Sequence, residues 1–175
     1  MLRNIKYNIV MENKKSTEIL KTAILMEKRG KAFYEKVAEQ ASSEEVKKIF
    51  SMMAEEEQTH VEFLSKQFAS YSKDQKFGKI DLKADPGVVE LILSDNIRKQ
   101  ISAASFEAAA ISAAIDMETK AIEVYSRQAA EASDPNEKEL YSWLADWEKG
   151  HHKILHELNE QLKEDIWYDN QFWPF

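Results

Sequence analysis

The sequence predicts an all-α protein, an antiparallel four-helix bundle in which one long crossover joins two duplicated helical hairpins. Only four of the 175 residues are Gly and three are Pro, a turn-poor composition that argues against an all-β sandwich or barrel. Apolar residues recur every three or four positions in four separate stretches, which is the spacing of one helix face. Residues 20–67 also match residues 111–158 without a gap at 14 of 48 positions, which indicates a duplicated unit. The predicted helices span 16–41, 43–70, 105–132 and 135–163, with the crossover at 71–104.

The first hairpin begins with an apolar stripe that runs from Leu20 to Ala41. Ser42, followed three residues later by Glu45, predicts a capping box that starts the second helix. The second helix carries its own apolar stripe, which ends at Leu64. Two amphipathic helices with a short link between them are expected to pack as antiparallel neighbours.

The second hairpin repeats this arrangement. Its first stripe runs from Ile111 to Ala132. Asp134, with Pro135 at the next position, predicts the start of the last helix, because Asp is a good N-cap and Pro is tolerated at the first helical position. The final stripe extends to Leu158.

The segment between the hairpins has weak periodicity, and a short further helix is predicted within it from Val88 to about Ile101. About 30 residues are enough to run the length of a bundle, which favours a long crossover over a simple up-down connection. We expect residues 1–164 to form a single domain. The tail 165–175 contains five aromatic residues and is expected to pack on the bundle or on a partner subunit, with a target-binding peptide as the alternative.

Charge and composition exclude several classes of function. The formal charge of −7 is spread without a basic block, which argues against nucleic-acid binding. No stretch of 18 residues is free of charge, so we expect no membrane span and no signal peptide, and therefore a soluble, cytoplasmic protein. The absence of Cys excludes disulfides, zinc–thiolate sites, iron–sulfur clusters and cysteine nucleophiles. Carboxylates and imidazoles remain as candidate metal ligands.

Four glutamates lie in the middle of apolar stripes: Glu27, Glu57, Glu118 and Glu148. Most other acidic residues, Glu56 among them, are placed by the pattern on polar faces or at helix starts, where solvation or capping explains them. Four carboxylates converging in a bundle core would repel one another by roughly 4 kcal/mol per contacting pair. A positive charge is therefore expected among them, and Lys31, one turn after Glu27, is the obvious basic candidate.

A Glu-x-x-His motif occurs once in each half and supplies two further candidate ligands. His60 follows Glu57 by three residues, and His151 follows Glu148 by three, so each pair projects from one helix face. Two divalent cations would balance the four carboxylates, while neutral imidazoles would supply nitrogen donors. The spacing therefore predicts a dinuclear metal site, and a core of protonated or salt-bridged carboxylates is the alternative.

The segments that carry these motifs resemble the two halves of the ferritin-like domain of the rubrerythrin family. They are AILMEKRGKAFYEKVAEQASSEEVKKIFSMMAEEEQTHVEFL and AIDMETKAIEVYSRQAAEASDPNEKELYSWLADWEKGHHKIL. The resemblance covers roughly residues 15–163 apart from the crossover. It implies a non-haem centre of two iron ions and a reaction that couples iron oxidation to reduction of hydrogen peroxide or dioxygen, in oxidative-stress defence. The ligands it implies are Glu27, Glu57, His60, Glu118, Glu148 and His151.

Two departures from the family pattern bear on the reaction. Typical rubrerythrins carry a four-cysteine rubredoxin site that this chain lacks, so we expect a separate electron donor, such as a rubredoxin-like protein. Many also have a further Glu one turn after the position of Glu118, where this chain has Ala121 and Ile122. The remaining ligand set is closer to bacterioferritin-type ferroxidase centres.

The sequence therefore favours a di-iron oxidoreductase, with a ferroxidase or iron-handling protein as the first alternative. A non-catalytic helical bundle stabilised by metal, or one whose site is filled by Lys31, is the second. Manganese or a mixed iron–manganese pair would suit the same donors. The resemblance and the apolar tail favour a homodimer.

Two tyrosines are predicted to support the candidate ligands. Tyr34 and Tyr125 each lie two helical turns after a candidate ligand on the same face, and each phenol is expected to hydrogen-bond a ligand carboxylate. Trp143 and Trp147 flank the last Glu-x-x-His motif and are interpreted as core packing rather than as redox relays.

Overall fold

The structure is a computed structural model that describes residues 2–79 and 106–169. Side chains are described for residues 14–79 and 106–163, except at positions 45 and 161. Within these ranges the chain forms four helices and no strand, which confirms the all-α prediction. The helices are α1 (Leu2–Gln40), α2 (Glu44–Asp74), α3 (Phe106–Glu131) and α4 (Pro135–Asp169).

Two helices extend at least six residues beyond their predicted bounds. The first, α1, begins at Leu2 rather than at residue 16, because residues 2–15 contain neither Gly nor Pro to interrupt it. The last, α4, continues to Asp169 rather than ending at residue 163, so the predicted aromatic tail begins inside a helix. The packing of that tail lies outside the described residues.

The helix starts are decided by side-chain caps. At α2 the N-cap is Ser43, whose hydroxyl accepts a hydrogen bond from the backbone N–H of Val46, so the prediction of Ser42 as the cap is wrong by one residue. The backbone N–H of Ser42 instead donates to the Glu107 carboxylate at 2.7 Å. At α4 the predicted cap is correct, because Asp134 accepts from the N–H groups two and three residues ahead, at 2.7 and 3.3 Å.

The core consists of two apolar clusters, one towards each end of the bundle. The first includes Val37, Phe50, Ile111 and Leu155, and the second includes Leu20, Leu64, Leu140 and Leu144. Helices α1 and α4 pass from the second cluster to the first, whereas α2 and α3 pass from the first to the second. The four helices therefore run up, down, down and up, with α1 packed on α2 and α3 packed on α4.

This topology requires a connection that runs the length of the bundle, because α2 ends beside the second cluster and α3 begins beside the first. The connection begins at Gln75, which ends α2 in the left-handed conformation (φ 53°), four residues later than predicted. Its first residues are held by a tilted ring contact between Tyr71 and Phe77, with centroids 4.7 Å apart, and by the Asn136 side chain, which donates to the Phe77 carbonyl at 3.0 Å. The predicted short helix at 88–101 lies outside the described residues.

None of the helices in the described part of the chain has a window apolar enough to span a bilayer.

Candidate metal centre

The six candidate ligands meet between the two apolar clusters, near the middle of the bundle. Each of these residues is at most 3% exposed, and every helix contributes at least one of them. The convergence follows from the sequence, because each Glu occupies a core position of its stripe and each His lies one turn further along the same face. The carboxylate–histidine cluster comprises Glu27, Glu57, His60, Glu118, Glu148 and His151.

The cluster divides into two overlapping groups of possible ligands. One contains Glu27 and His60, the other contains Glu118 and His151, and both include Glu57 and Glu148. In each group, one ligand atom from every residue lies within 4.8 Å of the others. This is the arrangement of two neighbouring metal positions with two shared carboxylates, and the described part of the chain has no other group of this kind.

Both histidines turn Nδ1 towards the carboxylates. Nδ1 of His60 lies 3.0 Å from Glu27 and 3.2 Å from Glu148. Nδ1 of His151 lies 3.1 Å from Glu148 and 3.5 Å from Glu118. One oxygen of Glu148 is buried without a hydrogen-bond partner among the described residues. Oxygen and imidazole donors in this number fit two divalent transition-metal ions.

Lys31 does not fill the cluster, contrary to the alternative in which it neutralises the carboxylates. Its ammonium group donates to Gln58 at 2.9 Å and lies 3.5 Å from Glu35. These partners form the groove between α1 and α2 on the outside of the bundle. The charge of the buried carboxylates must therefore be balanced by bound cations or by protons.

The pKa values of the cluster show how protons would balance the negative charge of the buried carboxylates. Burial, followed by the charge of Glu148, raises the pKa of both Glu27 and Glu118 well above its usual range. Burial works against ionisation of Glu148 and Glu57 as well, but the two histidines lower the pKa of Glu148. Hydrogen bonds with Glu27, and then with the two histidines, lower the pKa of Glu57. Burial likewise opposes imidazolium formation, and the carboxylates outweigh it, so the pKa of each histidine is raised well above 6.5. These directions favour two neutral carboxyls, two carboxylates and two imidazolium rings, a combination that carries no net charge.

The two tyrosines form hydrogen bonds that cross between the halves of the molecule. The Tyr34 hydroxyl on α1 donates to Glu118 on α3, and the Tyr125 hydroxyl on α3 donates to Glu27 on α1. Each phenol is therefore bonded to a candidate ligand, as predicted, but to the one in the opposite repeat. A separation of seven residues is about 10 Å along a helix, which is too far for a bond to the glutamate of the same helix.

Glu56 is a residue whose role sequence analysis missed. The sequence pattern places it on a polar face, yet its side chain is only 15% exposed and accepts a hydrogen bond from Nε2 of His151 at 2.5 Å. It also accepts a bond of 3.4 Å from the indole N–H of Trp147. Trp143 and Trp147 pack edge-on against the His60 ring, with ring centroids 5.7 and 5.2 Å away. The predicted packing role of the two tryptophans agrees with these contacts.

A cavity of about 310 Å³ between α1 and α3 leads to the cluster. Glu27, Glu57, Glu118 and Glu148 form its polar floor, and much of its wall is apolar. Gly30 lies in this wall, where a Cβ atom would be 3.3 Å from the carboxyl carbon of Glu57. The cavity is large enough for a small molecule to reach the carboxylates.

Comparison with known proteins agrees with this arrangement. A family model described as rubrerythrin matches residues 18–159, which include all six cluster residues and both tyrosines. This chain belongs to the rubrerythrin family. In this rubrerythrin-family chain, the buried carboxylates and histidines are compatible with metal binding.

Structural comparison supports the fold of this rubrerythrin-family chain. A hypothetical protein from Pyrococcus furiosus matches with a TM-score of 0.63 and 23% sequence identity, over 85% of this chain and 90% of the other. At this identity the likeness concerns the fold alone. A search among curated proteins finds no match.

Proposed function

We propose that this protein is a non-haem di-iron oxidoreductase that reduces hydrogen peroxide or dioxygen with electrons from a separate donor. The observation that carries the proposal is the convergence of four carboxylates and two imidazoles, all buried, into two ligand groups that share Glu57 and Glu148. Iron bound there would supply Lewis acidity and electrons for the oxidant. Manganese or a mixed pair would fit the same donor set.

The protein side chains hold the cluster in a fixed geometry and control what reaches it. The tyrosine hydroxyls bond one oxygen each of Glu27 and Glu118, which orients these carboxylates and leaves the other oxygen of each for a metal. The cavity between α1 and α3 offers a small oxidant a path to the carboxylates. The apolar clusters at both ends of the site limit the entry of bulk water.

Elemental analysis of protein produced with iron tests the centre itself. We expect about two metal ions per chain, and loss of both when either shared carboxylate is removed by Glu57→Ala or Glu148→Ala. Glu55→Ala, on the exposed face of the same helix, is the matched control and should retain both ions. Protein with almost no metal after iron-replete production would refute the proposal.

The redox assignment is tested on the ferrous-loaded protein under anaerobic conditions. Stoichiometric hydrogen peroxide should oxidise the iron and change the absorption spectrum, and a chemical reductant should then restore the ferrous state. If peroxide and dioxygen leave the spectrum unchanged, the centre is not an oxidoreductase. If the iron shows no redox change but removing it lowers the thermal stability of the protein, the result would instead favour the non-catalytic bundle that metal stabilises.

A ferroxidase is the second candidate, and the observation that favours it is the apolar side chain of Ala121 in the cavity wall. The resemblance places a further glutamate of many rubrerythrins in this region, one turn after Glu118. Repeated oxidation of added ferrous iron, with retention of a mineral, would identify a ferroxidase. Turnover with peroxide and an added electron donor, without mineral, would identify the reductase.

The electron donor and the oligomeric state complete the proposal. The 175 residues contain no Cys and so no rubredoxin-type iron site, and we assign the electron supply to a separate redox protein such as a rubredoxin-like donor. We also propose that the chain acts as a homodimer. Sedimentation equilibrium measures the molar mass in solution and so tests the dimer. A candidate redox protein that reduces the oxidised centre would be identified as the electron donor.

A further inference from the structure

The two halves of the cluster are symmetric in their inner contacts. Each histidine turns Nδ1 towards the carboxylates, and each tyrosine bonds the unshared glutamate of the opposite half. The clearest difference between the two metal positions lies further out, at the outer nitrogen, Nε2, of each histidine.

The residue immediately before each Glu-x-x-His motif contacts the histidine of the other motif. In the first motif this residue is Glu56, which contacts His151, and in the second it is Trp147, which contacts His60. Glu56 and Trp147 occupy equivalent positions in the repeat, 91 residues apart. The duplication has thus placed a carboxylate beside one imidazole and an indole beside the other.

These two neighbours have opposite consequences for the rings they contact. The carboxylate of Glu56 accepts a hydrogen bond from Nε2–H of His151. This bond keeps the ring proton on Nε2, so the lone pair of Nδ1 faces the cluster. It also makes the imidazole of His151 a stronger metal ligand. An indole N–H is a donor only, so Trp147 offers no such acceptor. Nε2 of His60 is buried and has no hydrogen-bond partner among the described residues.

We infer that the two metal positions are inequivalent, and that Glu56 is a positioning residue that makes the His151–Glu118 position bind metal more tightly than the His60–Glu27 position. This inference rests on the metal centre proposed above. The first ion then enters the His151–Glu118 position and the second enters the other. Outer hydrogen-bond partners of metal ligands typically contribute about 10- to 100-fold in metal affinity.

Calorimetric titration with Co²⁺, which needs no control of iron oxidation, tests the inference. The unsubstituted chain should bind two ions in steps whose affinities differ by about tenfold or more, and Glu56→Gln should weaken the tighter step by about 10- to 100-fold. The weaker step should change by less than about twofold. Glu55→Gln removes the same charge from the exposed neighbouring position and should leave both steps within about twofold, which separates the effect of a carboxylate bonded to Nε2 of His151 from that of a surface charge.

Histidine ¹⁵N spectra of the Zn²⁺-loaded, unsubstituted chain give a second measurement that does not depend on a variant. The Nε2 proton of His151 should resonate far downfield, as in a short bond to a carboxylate, and that of His60 should not. Any of three results would overturn the inference without contradicting the proposed metal centre. They are two Co²⁺ steps of equal affinity, equal weakening of both steps in Glu56→Gln, and matching Nε2 proton signals for the two histidines. Failure of the unsubstituted chain to bind metal at all would overturn both.

Discussion

Metal loading should displace protons from the cluster, and more of them than groups with ordinary pKa values would release. Burial raises the pKa of Glu27 and Glu118, and the carboxylates raise the pKa of His60 and His151 against the effect of burial, so all four groups are shifted towards the protonated form in the metal-free protein. Carboxylates and neutral imidazoles are the forms that bind metal. Two divalent ions should therefore release up to about four protons.

The same groups with ordinary pKa values would behave differently. Two histidines of pKa near 6.5 are each about three-quarters protonated at pH 6, and glutamates of pKa near 4.3 are almost fully ionised. Such a cluster would release only about 1.5 protons. The difference between about 1.5 and about four is large enough to measure.

Calorimetric titration with Co²⁺ in two buffers of different ionisation enthalpy measures the number directly, because the apparent heat changes in proportion to the protons released. Glu27→Gln should reduce the count by about one, since it removes one titrating group and keeps the side-chain shape. Glu55→Gln, at an exposed position of α2, should leave it unchanged. A release of about 1.5 protons or fewer at about pH 6 would refute the reasoning, because the cluster would then hold no more protons than groups with ordinary pKa values.

Three further predictions concern the metal-free protein and the cavity. The raised pKa values of Glu27, Glu118, His60 and His151 contribute stability that is complete below the unfolded pKa values and is lost as pH rises. Urea unfolding of the metal-free protein should therefore show stability falling above about pH 4.3 through the glutamates and above about pH 6.5 through the histidines; a flat profile would contradict this. Tyr34→Phe removes the donor to Glu118 and should cost about 1–3 kcal/mol in urea unfolding, whereas a loss below about 0.5 kcal/mol would mean that the bond contributes little. Gly30→Ala places a methyl group 3.3 Å from the Glu57 carboxyl carbon and should weaken Co²⁺ binding about tenfold, and unchanged affinity would show that Glu57 moves freely.

Much of the site could be predicted because the relevant signal is local. A glutamate in the middle of an apolar stripe is visible from helical periodicity alone, and a histidine three residues later lies on the same face whatever the rest of the fold does. The recurrence of both at a constant offset of 91 residues made the pattern specific. The position of all six residues in one buried cluster follows from these two facts, and their role as ligands stays a proposal.

Helix ends and flanking positions were predicted less well, because their environment is not local. Ser42 and Ser43 are equally good caps by residue type, and the contact of the Ser42 backbone with Glu107 on α3 accompanies the choice of Ser43. Glu56 lies on the flank of its stripe, about 100° around the helix from Glu57. Whether such a flank faces water or another helix depends on how α4 packs.

The sequence by itself therefore determined the class of fold, the duplicated hairpins and the set of candidate ligands, since these depend on spacing along one helix. The tertiary structure decided which helices run in opposite directions and so which groups meet across the bundle. Because α1 and α3 run antiparallel, Tyr34 bonds Glu118 rather than Glu27. Packing between helices also brings Glu56 to His151 and Trp147 to His60, a difference between the surroundings of the two histidines that no spacing along the chain reveals.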